Sequence, residues 1–197
     1  MKRIAFILFL LLAFTGASAQ EFVKIMSYNV RNAKGMDNVR DFSRVAKVIN
    51  LEQPDVVAVQ ELDSMTNRSG QKYVLGELAK LTGMHAEYFP AIKFDGGKYG
   101  IGILSKEKPI AVQGYPLPGR EEERALLVAE FRDYMFACTH LSLTEEDRMA
   151  SLEIIGKKAA ASEKPFYLAG DLNDTPGSRF LEGLQKNFRI LNDVKAQ

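Results

Sequence analysis

Four apolar runs in this chain each end in a side chain able to bind a hard cation, hold a phosphate oxygen or move a proton. Phe22 to Tyr28 delivers Asn29, and Val56 to Val59 delivers Gln60 and Glu61. Tyr134 to Thr139 delivers His140, and Phe166 to Ala169 delivers Gly170, Asp171, Leu172 and Asn173. Strand ends are where rigid scaffolds commonly hold reactive groups, and a shared end would converge all four runs. Asp171 and Asn173 are two residues apart, so in an extended segment they would point to the same face. The set contains one carboxylate suited to a hard cation, a second able to act as base, one imidazole and two amides. That inventory matches phosphoryl chemistry, in which Mg²⁺ binds through few protein oxygens and keeps waters and substrate oxygens. Taken singly, each residue has a plainer reading: a carboxylate after a buried strand is more often a solvated loop residue, and Asp-Leu-Asn-Asp-Thr-Pro is usually a turn.

The elements that must position these groups are legible as short runs rich in Val, Ile, Phe and Tyr. They predict strands over 22–30, 55–59, 101–105, 125–131, 134–141 and 165–169. Val56-Val57-Ala58-Val59 is continuously apolar, which suggests a strand buried on both faces. Helical spacing links Val39, Phe42, Val45 and Ile49, and again Val74, Leu78 and Leu81 before Gly83, a C-terminal stop. Thr144-Glu145-Glu146-Asp147 resembles a capping box, with Asp in place of Glu or Gln, ahead of an apolar face of Met149, Leu152 and Ile155. Strands and helices alternate, which favours an α/β layered fold. Asp95-Gly96-Gly97-Lys98-Tyr99-Gly100 lacks the Walker pattern and precedes a strand, so it reads as a hairpin turn. Cys138 lies inside an apolar run and reads as a buried structural thiol; His85 has no metal-spaced partner and reads as a surface histidine.

In order, the runs Met26-Ser27-Tyr28-Asn29-Val30-Arg31, Pro54 to Glu61, Thr139-His140-Leu141 and Leu168 to Pro176 resemble the endonuclease/exonuclease/phosphatase superfamily. The resemblance covers residues 21 to 185 and implies a four-layered α/β sandwich with two mixed β-sheets packed face to face and helices outside. It implies Glu61 as the principal ligand of Mg²⁺, or Mn²⁺, with Asn29 helping to hold metal or phosphate. Asp171 would orient and deprotonate the attacking water, Asn173 would hydrogen-bond the phosphate or the nucleophile, and His140 would donate to a phosphate oxygen. Arg124 sits where relatives often keep an arginine near the phosphate; a surface ion pair is its alternative. Gly102 or Ile101 stands where the family has an Asn in a Gly-Asn-Ala-Ile-Leu-Ser stretch. Relatives finish with further strands and a Ser-Asp-His motif that does not occur after Asn173, so the expectation is a fold lacking its final strands and a weakened catalyst. The expected activity is hydrolysis of phosphodiester or phosphomonoester bonds, with a phosphorylated small molecule, a phospholipid head group or nucleic acid as substrate. The alternative is a catalytically silent module that binds phosphate ligands.

The chain opens Met1-Lys2-Arg3, runs through an apolar stretch to Phe14 and reaches Ala17-Ser18-Ala19, the layout of a secretory signal peptide. The reading is therefore a signal over residues 1–19 and one domain over 20–197, exported to the periplasm or secreted, with no stable membrane insertion and no obligate protein partner. Removing the signal leaves 24 basic against 25 acidic side chains. Such a balance supplies no global field toward DNA or an anionic membrane, so any phosphate recognition must be local. One cysteine excludes an intrachain disulfide, so stability must come from packing. Intact mass of the exported protein is expected to begin at Gln20; a form retaining Met1 in the cell envelope would contradict the signal.

Overall fold

The computed structural model describes residues 22–192; the expected signal and Asp193 to Gln197 lie outside them. Eight strands and four α-helices follow in the order β1 (Ile25–Asn29), α1 (Phe42–Glu52), β2 (Val56–Ser64), α2 (Val74–Thr82), β3 (His85–Phe94), β4 (Gly97–Ser105), β5 (Ala111–Leu117), β6 (Arg124–Glu130), β7 (Met135–His140), α3 (Glu145–Ala160), β8 (Phe166–Asp171) and α4 (Arg179–Leu184). They form two four-stranded sheets, ordered β1-β2-β4-β3 and β5-β6-β7-β8. β1 runs parallel to β2 and β7 parallel to β8, while the other pairs are antiparallel, so both sheets are mixed.

The layering follows from the two-residue period of each strand. Val57 and Val59 face α1 and α2, where they meet Val45, Ile49, Leu75 and Leu78. Val56 and Ala58 face the other way, into a core shared by both sheets with Ile101, Ile103, Leu127, Phe136 and Cys138. Leu126, Val128 and Ala137 then pack on α3 and α4 through Ile155, Phe180 and Leu184. The result is helix, sheet, sheet, helix: the four-layered sandwich, with β2 buried on both faces as its unbroken apolar run requires.

Helix ends show which local signals act. Asp41 caps α1 by accepting from the amides of Ser43, at 2.8 Å, and Arg44, at 3.3 Å. Val39 is exposed and stands outside the helix it was expected to join. α2 stops where Gly83 turns left-handed at φ 71°. The capping box expected at α3 does not form, because its partners are engaged elsewhere. The Thr144 hydroxyl lies 3.4 Å from Glu121 Oε2, and Asp147 accepts from the Arg120 amide at 2.8 Å. Three acids in the first turn and two lysines in the last still suit the helix dipole.

Two strands escape the sequence pattern, β3 and β5, and both are sheet edges. β3 is interrupted by a bulge after Pro90 and β5 contains Gly114 and Pro116, which propensity counts against strands but edges tolerate. The turn at Asp95 and Gly96 joins β3 to β4 as expected, and His85 is exposed at the start of β3. Among the described residues no helix is long and apolar enough to cross a membrane.

Gly170 tests the tightness of the β7–β8 pairing. A Cβ there would lie 2.1 Å from the Thr139 carbonyl oxygen, a contact relieved only by backbone movement. Gly170→Ala is expected to destabilise the fold by about 1–3 kcal/mol. Gly156→Ala, inside α3 with nothing nearer than 3.9 Å, is expected to stabilise it by roughly 0.5–1 kcal/mol. Urea titration of both variants reads the difference.

Candidate active site

Parallel pairing of β1 with β2 and of β7 with β8 brings four strand ends to one rim. Asn29 lies beside Gln60, and His140 beside Asp171, as register partners. β1 and β8 also pack against each other across the sheets. The site residues expected from strand ends therefore converge, with three local devices aiming them.

The first device is a bulge in β2. Val59 pairs with Gly102 and Leu62 with Gly100, so β2 carries one residue more than β4 between these pairs. Gln60 keeps the inter-sheet direction and reaches Cys138, while Leu62 already belongs to the helix-side core. Glu61 is the extra residue, turned left-handed at φ 59° and half-exposed at the rim. In a regular strand its side chain would be buried under α1 and α2; the bulge re-aims it.

The second is the Asn29 carboxamide, whose Nδ2 donates to Glu61 Oε1 at 2.8 Å and to Asp171 Oδ2 at 3.0 Å. One nitrogen thus separates two carboxylates that come from different sheets. The third is an Asx turn at the end of β8. The chain leaves the strand at Asp171 and turns left-handed at Asn173, φ 49°, whose amide returns to Asp171 Oδ1 at 3.0 Å. This corrects the expectation that Asp171 and Asn173 share a face of an extended segment. Asn173 instead closes the turn, and its side-chain amide donates to the Leu141 carbonyl at 2.7 Å.

His140 is buried, with Nε2 4.0 Å from Asp171 Oδ2. Burial, reinforced by the Arg124 charge, holds its pKa below the ordinary imidazole value, so the ring is neutral near pH 7. Arg124 is not the surface ion pair its sequence context allows. It is buried, bound to Glu121 and Glu122 at 3.1 Å each, and its Nε finds no partner among the described residues. Cys138 is fully buried, and burial pushes its thiol up to about 12, which excludes it as a nucleophile at neutral pH.

Beside Glu61 opens a cavity of about 380 Å³ lined by Arg31, Asn32, Lys34, Arg40, Arg68, Phe94, Tyr99 and Glu122. Arg31 ends the motif that carries Asn29, and Phe94 and Tyr99 belong to β3 and β4; Asn32, Lys34, Arg40, Arg68 and Glu122 come from connecting segments that no periodicity marks. Among the described residues no group of three or more acidic, His or Cys ligands gathers anywhere. A cation held at this rim would have few protein ligands: Glu61, whose Oε2 takes no hydrogen bond among the described residues, with Asn29 and Asp171 beside it.

A model of the endonuclease/exonuclease/phosphatase family matches residues 26–194. This chain belongs to that family. Its members are hydrolases of phosphodiester or phosphomonoester bonds. Among solved structures, the fold is similar to an endonuclease/exonuclease/phosphatase from Beutenbergia cavernae, at 22% identity and TM-score 0.62, covering 80% of this chain and 50% of that one. The chain thus spans half the length of that neighbour. It is also similar to a mannosyl-6-phosphatase from Bacteroides thetaiotaomicron, at 16% identity and TM-score 0.64, covering 84% and 70% of the two chains. The human Nocturnin catalytic domain with bound sulfate gives 16% identity, TM-score 0.58 and coverage of 81% and 68%.

The loop beneath Arg124 gives the family member a titratable anchor. Burial pushes the Glu121 carboxyl up, but amide donors including that of Leu143, the Ser142 hydroxyl and Arg124 together outweigh it and bring the pKa down to about 2. A pKa depressed on folding adds stability above the ordinary value of 4.5 that is lost as pH falls toward 2. Glu121→Gln is expected to flatten that part of the acid limb in chemical denaturation followed from pH 6 to pH 2.

Proposed function

We propose that this protein hydrolyses phosphate esters by direct attack of water, with Mg²⁺ or Mn²⁺ held at Glu61 and Asn29. The observation that carries the reading is the single Asn29 nitrogen lying between the Glu61 and Asp171 carboxylates. Two converging carboxylates separated only by a neutral dipole make a strong local demand for positive charge. A carboxylate and an amide suit a hard cation that keeps most of its positions for water and substrate oxygens. When bound, such a cation would neutralise charge on phosphate oxygens and make its water more acidic.

The chain's own residues divide the remaining work. Asp171 has Oδ1 fixed by the Asn173 amide and Oδ2 held at the rim by Asn29, where the remaining lone pair of Oδ2 can orient a water and take its proton. Neutral His140 can donate a hydrogen bond to a non-bridging oxygen, and Asn173 can add a second amide donor. Arg124, fixed by two glutamates, contributes charge from behind His140 rather than a mobile hand. Donors held this firmly stabilise developing charge without having to reorganise. Phosphorylated small molecules, phospholipid head groups and nucleic acids all present the ester such a rim would take. A second reading, a silent phosphate-binding module, retains binding without turnover.

Asp171→Asn is expected to lower kcat by about 10²–10⁴ while the melt stays cooperative. Glu61→Gln is expected to weaken Mg²⁺ affinity in calorimetry before it affects folding, since the change removes charge and little volume. Turnover of bis(p-nitrophenyl) phosphate or p-nitrophenyl phosphate that survives EDTA would sink the metal; no turnover of either ester in Mg²⁺ would favour the silent module.

A further inference from the structure

The cavity beside Glu61 carries more positive charge than the reaction at its rim uses. Arg31, Lys34, Arg40 and Arg68 all line it. Among the described residues only Arg68 is neutralised, by two bonds of 2.7 Å to buried Asp63, and its guanidinium lies over the Phe94 ring at 4.3 Å. Arg40 donates to the Asn32 carbonyl at 3.1 Å, to Asn32 Oδ1 at 3.3 Å and to the Arg68 carbonyl, all uncharged acceptors. Among the described residues the Arg31 guanidinium reaches only the Met36 sulfur, at 3.7 Å. Lys34 makes no ion pair among the described residues. Of the two acids on the same wall, Glu122 is taken by Arg124, and Glu61 belongs to the rim.

The backbone that sets out these cations is unfavourable for folding alone. Lys34 and Arg40 are direct partners in an isolated antiparallel bridge, an arrangement that like charges destabilise. The chain enters this bridge through Arg31, Asn32 and Ala33, three consecutive non-glycine residues at φ 46°, 54° and 56°, a left-handed turn that L-residues resist. Strain that juxtaposes unpaired like charges is resolved when an anion sits between them.

We propose that this cavity is a subsite for a second anionic group, so that the preferred substrate is a small phosphate ester carrying two phosphoryl groups. One would sit at Glu61 and Asp171 and the other among Arg31, Lys34 and Arg40. The proposal rests on the hydrolase reading of the adjoining rim. Guanidinium forks match phosphate oxygens, and three uncompensated cations exceed what one carboxylate would neutralise. The volume is at the small end of ligand sites, enough for a phosphoryl group and part of its carrier. A polymer would need its cations spaced along a track, whereas these face a single space.

The test uses the full chain with Mg²⁺ and compares kcat/KM for glucose 1,6-bisphosphate with that for glucose 6-phosphate. The wild type is expected to prefer the bisphosphate by at least about tenfold. Lys34→Gln and Arg31→Gln are each expected to cut that preference by about tenfold, with melts confirming that the variants fold. Calorimetry with inorganic pyrophosphate in EDTA reads the subsite without turnover, and each variant should bind about tenfold more weakly. If neither ester is hydrolysed yet pyrophosphate binds in a Lys34-dependent way, the hydrolase reading falls and the anion subsite stands. Pyrophosphate affinity or a bisphosphate preference that both substitutions leave unchanged overturns the subsite. Preferential hydrolysis of duplex DNA overturns the small-molecule class.

Discussion

The carboxamide of Asn29 belongs to one sheet, yet one of its two carboxylate acceptors belongs to the other. A single nitrogen can serve both only if the two sheets meet edge against edge at a fixed height. That condition requires parallel pairing at both edges, because parallel neighbours end at the same rim. It requires the extra residue in β2, without which Glu61 would point under the helices. It requires Gly170, whose missing side chain lets β8 lie close enough to β7 for Asp171 to stand beside His140. The inter-sheet core of Val56, Ala58, Ile103, Leu127 and Phe136 holds the sheets in this relation over their whole width. Hydrophobic burial supplies the energy and a few polar contacts supply the registration.

Behind the rim, the loops after β7 and β8 are joined by polar contacts that are themselves buried. Arg148 donates to Asp174 at 3.0 Å, with both side chains less than a tenth exposed, and to the carbonyls of Ser142 and Leu143. Asp147 accepts from the Arg120 amide and from the Ser142 hydroxyl. Buried pairs of this kind add little net stability compared with apolar packing, since desolvation offsets attraction. Their effect is directional: each fixes a loop in one place and makes any other place costly. His140 and Asn173 lie within or next to these loops and inherit their rigidity.

Much of this arrangement is legible in the residues themselves, and the exceptions have physical reasons. Asn29, Glu61, His140 and Asp171 each follow an apolar run, and buried runs advertise strand ends strongly. The edge strands β3 and β5 carry Pro90, Gly114 and Pro116, residues whose cost at an unpaired edge is small but whose average propensity says otherwise. The direction of Glu61 could not be read, because a bulge depends on the partner strand and leaves no local mark. Thr144 looks like a cap by spacing, but Glu121, distant in sequence, competes for its hydroxyl. Lys34, Arg40 and Arg68 were invisible as a group, since only tertiary folding brings these two loops to one cavity.

Several of the left-handed non-glycine residues lie in or beside the strand ends that form that mouth. Arg31, Asn32 and Ala33 follow β1, Glu61 and Met65 lie in and just after β2, and Asn173 follows β8. Each such conformation costs on the order of 1–3 kcal/mol against a total stability of about 5–15 kcal/mol for a domain. A fold selected only for stability would relax several of them by a glycine or a regular strand end. Of the left-handed residues, Arg31, Asn32, Glu61 and Asn173 carry charged or amide side chains toward the rim, and Ala33 turns the chain between Asn32 and Lys34, whereas Gln53 ends α1 and Asp95 turns β3 into β4 away from it. The strain is held in place by the same core that aligns the sheets, so loosening the core would release the site before it unfolded the domain. Rigidity of the sandwich and geometry of the rim are therefore one constraint: the apolar layers set how much backbone strain the mouth can carry, and that strain sets where its charges point.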